Sequence, residues 1–109
     1  MTTKQANILV TRWQQAMPPS SQNIAKLMKA QGLRPYMWTR QGNYRYAVTS
    51  HSTDKVLFVI EGSIEVQFPD LNQSLSLRVG DRIDIVAGTR HAINIGHRGA
   101  ICAEASIRR

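Results

Sequence analysis

Three features of the sequence predict an all-β domain with a short N-terminal strand and helix. Residues 63–68 (SIEVQF), 74–79 (SLSLRV) and 82–86 (RIDIV) alternate apolar and polar positions with the period of two that sends successive side chains to opposite faces of a strand. Turn-forming stretches, PDLNQ, Gly80-Asp81 and AGTR, follow these segments at nearly regular intervals. A helical period shows in one place only, near the N-terminus.

In chain order, ANILVTRW (6–13) has the β-branched content of a short strand. Pro18 and Pro19 stop what precedes them. Ser20 or Ser21 then offers a side-chain oxygen to the free N–H groups of a first helical turn. Ile24, Leu27 and Met28 recur on one helical face, and that stripe reads as packing. Gly32 ends the helix in the left-handed conformation, with Leu33 packing back on the last turn. Beyond it Ile64, Val66 and Phe68 share a face, as do Leu75, Leu77 and Val79, and then Ile83 and Ile85. HAINI, a turn at GHRG and AICAEASI complete the series. Five or more short antiparallel strands need closure or a second sheet to bury their apolar faces, so a barrel or sandwich is expected.

The chain has 109 residues, 42% apolar and 19% charged, which suits one globular domain. Within it residues 1–34 form an arm packed on the barrel of residues 35–109. No apolar run approaches the roughly 20 residues that span a bilayer. The N-terminus MTTKQANILV lacks a hydrophobic leader, so a cytoplasmic location is expected. Cys102, the single cysteine, excludes an intramolecular disulfide and agrees with a reducing compartment. The net charge of +7 raises the question of a polyanionic partner. Its arginines are dispersed, however, and only Arg108 and Arg109 sit side by side. Nucleic-acid binding is therefore not expected, and neither is a membrane.

Residues 49–95 resemble the two motifs of the cupin superfamily, small β-barrels of jelly-roll type. The first family motif reads G-x5-H-x-H-x3,4-E-x6-G. His51 falls on its second histidine, Lys55 on its glutamate and Gly62 on its last glycine, while Thr49 replaces the first histidine. The opening glycine is displaced, with Asn43 in its place and Gly42 one residue early. The second reads G-x5-P-x-G-x2-H-x3-N. Gly80, Gly88 and His91 match it, Val86 replaces the proline, and Asn94 comes one residue early. LRPYMWTR, KVLFVIEGSIEV, GDRIDIVAGTRHA and ICAEA extend the similarity to a group of small bacterial cupins with an N-terminal helix and lysine at the glutamate position. The resemblance implies a cupin jelly-roll β-barrel with a short N-terminal strand and helix.

In metal-binding cupins three histidines and the glutamate converge on one ion, and two of those histidines are present here. A neutral threonine hydroxyl donates little charge to a metal, and a protonated lysine has no lone pair to give. Cys102 and Glu104, two apart on the last strand, share a face, and either one turned inward completes a site with His51 and His91. Inward, Glu104 is also the partner for Lys55. Arg45 shares strand parity with Thr49 and His51, and Arg90 lies next to His91. Tyr36, Trp38, Tyr44 and Tyr46 suit either a pocket mouth or ordinary packing. His97, in GHRG, reads as a solvated turn residue. An apolar strand context argues against an activated Cys102 thiolate.

The expectation is a small-molecule-binding protein that holds an organic anion, a carboxylate or phosphate, with His51, Lys55, His91, Arg45 and Glu104. No cofactor is expected and catalysis is not required. Two alternatives stand beside it. One is a metal-dependent isomerase, decarboxylase or dioxygenase using His51, His91 and Glu104 to hold Zn, Mn, Fe or Ni. The other is a sensory or scaffold module acting as a homodimer through the N-terminal strand.

Overall fold

The computed structural model describes residues 2–5 and 7–107. Its elements are β1 (Thr2–Gln5), β2 (Ile8–Thr11), α1 (Ser21–Ala30), β3 (Tyr36–Arg40), β4 (Asp54–Phe68), β5 (Gln73–Arg78), β6 (Arg82–Ile85) and β7 (Ala92–Ile107). Ala6, which opens the expected first strand, and the Arg108-Arg109 pair lie outside the described residues.

All strand pairs are antiparallel, in the hydrogen-bonded order β1-β2-β6-β4-β7-β3, with β5 paired to β4. The order does not close on itself; the sheet curls into a jelly roll. Among the described residues no helix is long and apolar enough to cross a membrane.

Two apolar clusters lie on opposite faces of β4 and β7. Leu57, Val59, Ile64, Val66, Phe68, Leu77, Ile83 and Cys102 fill the inside of the roll, while Val56, Phe58, Ile60, Ala103 and Ala105 meet Ile24, Met28 and Leu33 under α1. Strands buried on both faces need apolar side chains at every position. That is why VLFVI (56–60) is an unbroken apolar run where residues 63–68 alternate.

Helix α1 follows its sequence signals. Ser20 caps it by accepting from the Asn23 N–H at 3.2 Å. At its end the Leu33 N–H donates to Met28 O and the Gly32 N–H to Lys29 O, the paired bonds of a left-handed stop, with Gly32 at φ +79°. Arg82 ties this end to the sheet, reaching both Asp84 oxygens at 2.7 and 2.9 Å and Gln31 Oε1 at 2.6 Å.

The structure departs from the sequence reading in three places. Residues 6–13 do not form one strand: the N-terminal segment is a hairpin whose second strand, Ile8–Thr11, buries Ile8 and Val10 against Ile85 and Ile83. Val79 does not join Leu75 and Leu77, because β5 ends at Arg78 and leaves it exposed. GHRG (96–99) is not a turn but the middle of β7. Its glycines serve close approach instead. A Cβ on Gly96 would stand 2.2 Å from Ser63 Oγ, and Gly99 brings its carbonyl against Gly62.

Gly62 belongs to a bulged region. Register shifts fall between Val59 and Glu61 and between Gly62 and Ile64, so the inward set changes from Leu57 and Val59 to Ile64, Val66 and Phe68. At φ +75°, a Cβ on Gly62 would lie 1.9 Å from Gly99 O. Gly62→Ala is expected to destabilise by about 3 kcal/mol or more, adding backbone overlap to left-handed strain. Gly32→Ala, with nothing within 4 Å, should lose only the strain, about 1 kcal/mol. Urea unfolding of both variants checks the ranking.

Candidate functional site

Strand β3 builds one wall of a cavity of about 280 Å³. Alternation along YMWTR puts Tyr36, Trp38 and Arg40 on one face, opposite Glu104, Cys102 and Ala100 of β7. Tyr36, Trp38, Arg40 and Glu104 line the cavity, and the facing side is made by Tyr46, Thr49, His51 and His91.

Glu104 turns inward and collects three donors. Tyr36 OH donates to Oε2, Trp38 Nε1 donates to Oε1 at 3.1 Å, and Lys55 Nζ stands 3.4 Å from Oε2. Lys55 lies across from Ser106, to whose Oγ it donates at 2.8 Å, which aims the ammonium at the carboxylate two residues away. Both side chains are mostly buried, at 18% and 17% exposure. Burial, then the bond to Glu104, pushes the Tyr36 phenol up to about 12, so it stays a donor.

The histidines enter from irregular backbone. Thr49 and His91 exchange N–H···O bonds of 2.8 Å in an isolated bridge, and Gly88 N–H donates to His51 O at 2.8 Å. These contacts hold the two rings with centroids 5.3 Å apart. His91 is buried, and its Nδ1 lies 2.9 Å from Thr89 O, so Nδ1–H donates there and Nε2 is left for another partner. His51 is held below its usual 6.5 by burial first, then by Lys55 and His91, with Glu104 opposing.

Arg40 was not among the residues singled out by sequence. Its guanidinium carbon stands 6.0, 5.6 and 5.6 Å from the ring centres of Trp38, Tyr44 and Tyr46. No carboxylate among the described residues lies within ion-pair distance of it. The signal was present in LRPYMWTR, where Arg40 shares parity with Tyr36 and Trp38. Arg45 does not line this cavity: it is exposed, because residues 41–51 form isolated bridges rather than a strand and parity does not carry through them. Arg90 points elsewhere, paired with Asp70 at 2.7 Å on the surface. Cys102 shares Glu104's inward face but packs in the core, fully buried.

A divalent metal at the family's four positions does not fit this donor set. Those positions hold Thr49, His51, Lys55 and His91. The nearby carboxylate, Glu104, is already engaged by an ammonium, a phenol and an indole. Among the described residues no three His, Cys, Asp or Glu side chains group as a metal site.

The fold and cavity together define a small protein of cupin fold whose metal-motif positions carry an internal cation. Solved structures of this fold include a cupin-2 domain protein from Shewanella frigidimarina, 22% identical over 70% of this chain and 71% of its own, TM-score 0.59. A cupin superfamily protein from Desulfitobacterium hafniense matches over 100% of this chain and 84% of its own, at 12% identity and TM-score 0.62. The DMSP lyase DddQ from Ruegeria pomeroyi matches 70% of this chain with 38% of its length, at 18% identity and TM-score 0.63. No family model and no curated protein matches the sequence. The jelly roll implied by the motif resemblance is thus the observed fold.

In an NMR titration the His51 ring should protonate with a midpoint below 6.5, moving upward in Lys55→Met. Since the folded ring binds its proton less readily than the unfolded one, this histidine's contribution to stability is present above about 6.5. It is lost as pH falls through the folded midpoint. Burial, with Glu104 second, lifts the Cys102 thiol to about 12. Native protein at pH 8 should therefore resist iodoacetamide and react only once unfolded, as mass spectrometry reads directly.

Proposed function

We propose that this chain binds a small organic anion, a carboxylate or phosphate, in the cavity between β3 and the histidine pair, without a tightly held metal. The observation that carries this reading is the Lys55–Glu104 pair. It cancels the charge of the carboxylate that lines the cavity and leaves the Arg40 guanidinium uncompensated. From sequence, the site's positive charge falls to Lys55, with Arg45 or Arg90 beside it. In this account Lys55 instead offsets Glu104, His51 and His91 supply hydrogen bonds, and Arg40 supplies the positive charge. Aromatic rings around a few placed polar groups are the usual build of a small-molecule site. Such a site performs its role by binding alone.

The competing reading is a metal-dependent isomerase, decarboxylase or dioxygenase with His51, His91 and Glu104 as ligands. One observation favours it: the Thr89 bond that engages His91 Nδ1 and so turns Nε2 to the role of ligand.

Thermal-shift and calorimetric titration with carboxylate and phosphate metabolites tests the proposal. Lys55→Met, which bares the Glu104 charge, should weaken any anion that binds by about tenfold. Glu104→Gln should leave its affinity equal or higher. Affinity unchanged by Lys55→Met would sink the assigned role. Elemental analysis of protein purified without chelator decides the rival: near-stoichiometric metal, lost in a His51→Ala/His91→Ala variant, would establish it.

A further inference from the structure

The cavity is chemically two-ended. Along β3, Tyr36 stands beside Glu104, whereas Arg40 stands opposite Ala100, four residues and roughly 13 Å further along the strand. His51 shortly precedes Lys55, whose ammonium pairs with Glu104, and its ring stands 5.3 Å from that of His91, which puts the imidazole pair at the Glu104 end. Arg40, against Tyr44 and Tyr46, marks the other end and is exposed, while His91 is buried. The cavity therefore runs from a cationic mouth to an imidazole floor.

Between these ends the walls are apolar in effect. Tyr36 and Trp38 direct their polar atoms at Glu104, so what they offer a guest is ring surface. Ile93 adds another apolar wall. At the floor the imidazoles offer ring nitrogens: His91 Nδ1 is engaged by Thr89 O, which leaves Nε2 for a guest, and the His51 ring stands beside it. The floor thus calls for a group that hydrogen-bonds to an imidazole, as a hydroxyl or amino group does, and the mouth for an anion. About 280 Å³ is the space of about nine waters at ~30 Å³ each, enough for one ring with short substituents.

We infer that the site takes a small planar aromatic acid, its carboxylate against Arg40, its ring along Trp38 and Tyr46, and a hydroxyl or amino donor directed at His51 and His91. This rests on the anion-binding reading and narrows it. An aliphatic diacid would match the mouth but would set a second carboxylate beside that of Glu104 at the floor. An aromatic acid without a donor would leave the imidazoles unpaired, a loss of about 1–3 kcal/mol.

Calorimetric titration of the full chain with 4-hydroxycinnamate, cinnamate, adipate and 4-hydroxycinnamyl alcohol tests it. We expect 4-hydroxycinnamate to bind about tenfold more tightly than cinnamate, and adipate to bind weakest of the three acids. Arg40→Gln should weaken 4-hydroxycinnamate about tenfold while leaving the alcohol unchanged, and Arg40→Lys should recover part of the loss. Equal binding of cinnamate and 4-hydroxycinnamate overturns the inward donor. Equal loss for acid and alcohol in Arg40→Gln overturns the orientation. If adipate binds as tightly as 4-hydroxycinnamate, the aromatic class is wrong and the anion reading survives. Failure of all three acids together with every other carboxylate and phosphate sinks both.

Discussion

The ion pair of Lys55 with Glu104 is the constraint on which the cavity depends. It joins β4 to β7, and through Tyr36 and Trp38 it also holds β3, so one carboxylate organises three adjacent strands. A mostly buried pair of this kind is weak evidence for stability, because desolvating both charges offsets much of their attraction. Its effect is on specificity. The carboxylate fixes the indole and phenol so that they present ring faces to the cavity, and the ammonium lowers the tendency of His51 to protonate. Removing the ammonium would bare the charge of the carboxylate that lines the cavity.

That pair can form only because β4 and β7 run long and antiparallel in a fixed register. Lys55 faces Ser106, and Leu57 faces Glu104. The unbroken apolar run after Lys55 is buried on both faces, by the roll on one side and α1 on the other, which leaves the strand no freedom to slip. Further along, the bulged region around Gly62 reverses the alternation so that the same strand continues to fill the interior. The helix therefore contributes to the site at a distance, by pressing on the outer face of the strands that carry it.

Much of this was legible in the sequence. Alternating residues located Ile64, Val66, Phe68, Ile83 and Ile85 inside, the helix start at Ser20 and stop at Gly32 followed from capping chemistry, and parity aligned Cys102 with Glu104. What escaped was where local patterns lose their meaning. GHRG has the composition of a turn, but its glycines exist for close contact with Ser63 and Gly62, a tertiary fact invisible in the segment itself. Arg45 was misplaced by extending strand parity through backbone that is not a strand. Arg40 was overlooked because its surroundings come from Tyr44 and Tyr46, which fold back over it after the turn at 42–43. The net charge of +7 was equally ambiguous until partners were known. Arg12, Arg82 and Arg90 are each matched to an aspartate in the fold, at Asp81, Asp84 and Asp70.

A tethered ammonium and a bound metal ion solve the same electrostatic problem differently. Each offsets a carboxylate in a poorly solvated cavity beside two imidazoles. A divalent ion does so by drawing the lone pairs of both rings into coordination, so the imidazoles are spent on the ion. Lys55 has no vacant orbital to accept those lone pairs and instead disfavours the proton that His51 would take up. Neither ring is then drawn into coordination, and the positive charge that a guest would meet moves from the centre of the cavity to Arg40 at its rim. On the proposed anion-binding reading, exchanging glutamate for lysine at one strand position turns a site that polarises what it binds into one that sorts guests by where they carry charge.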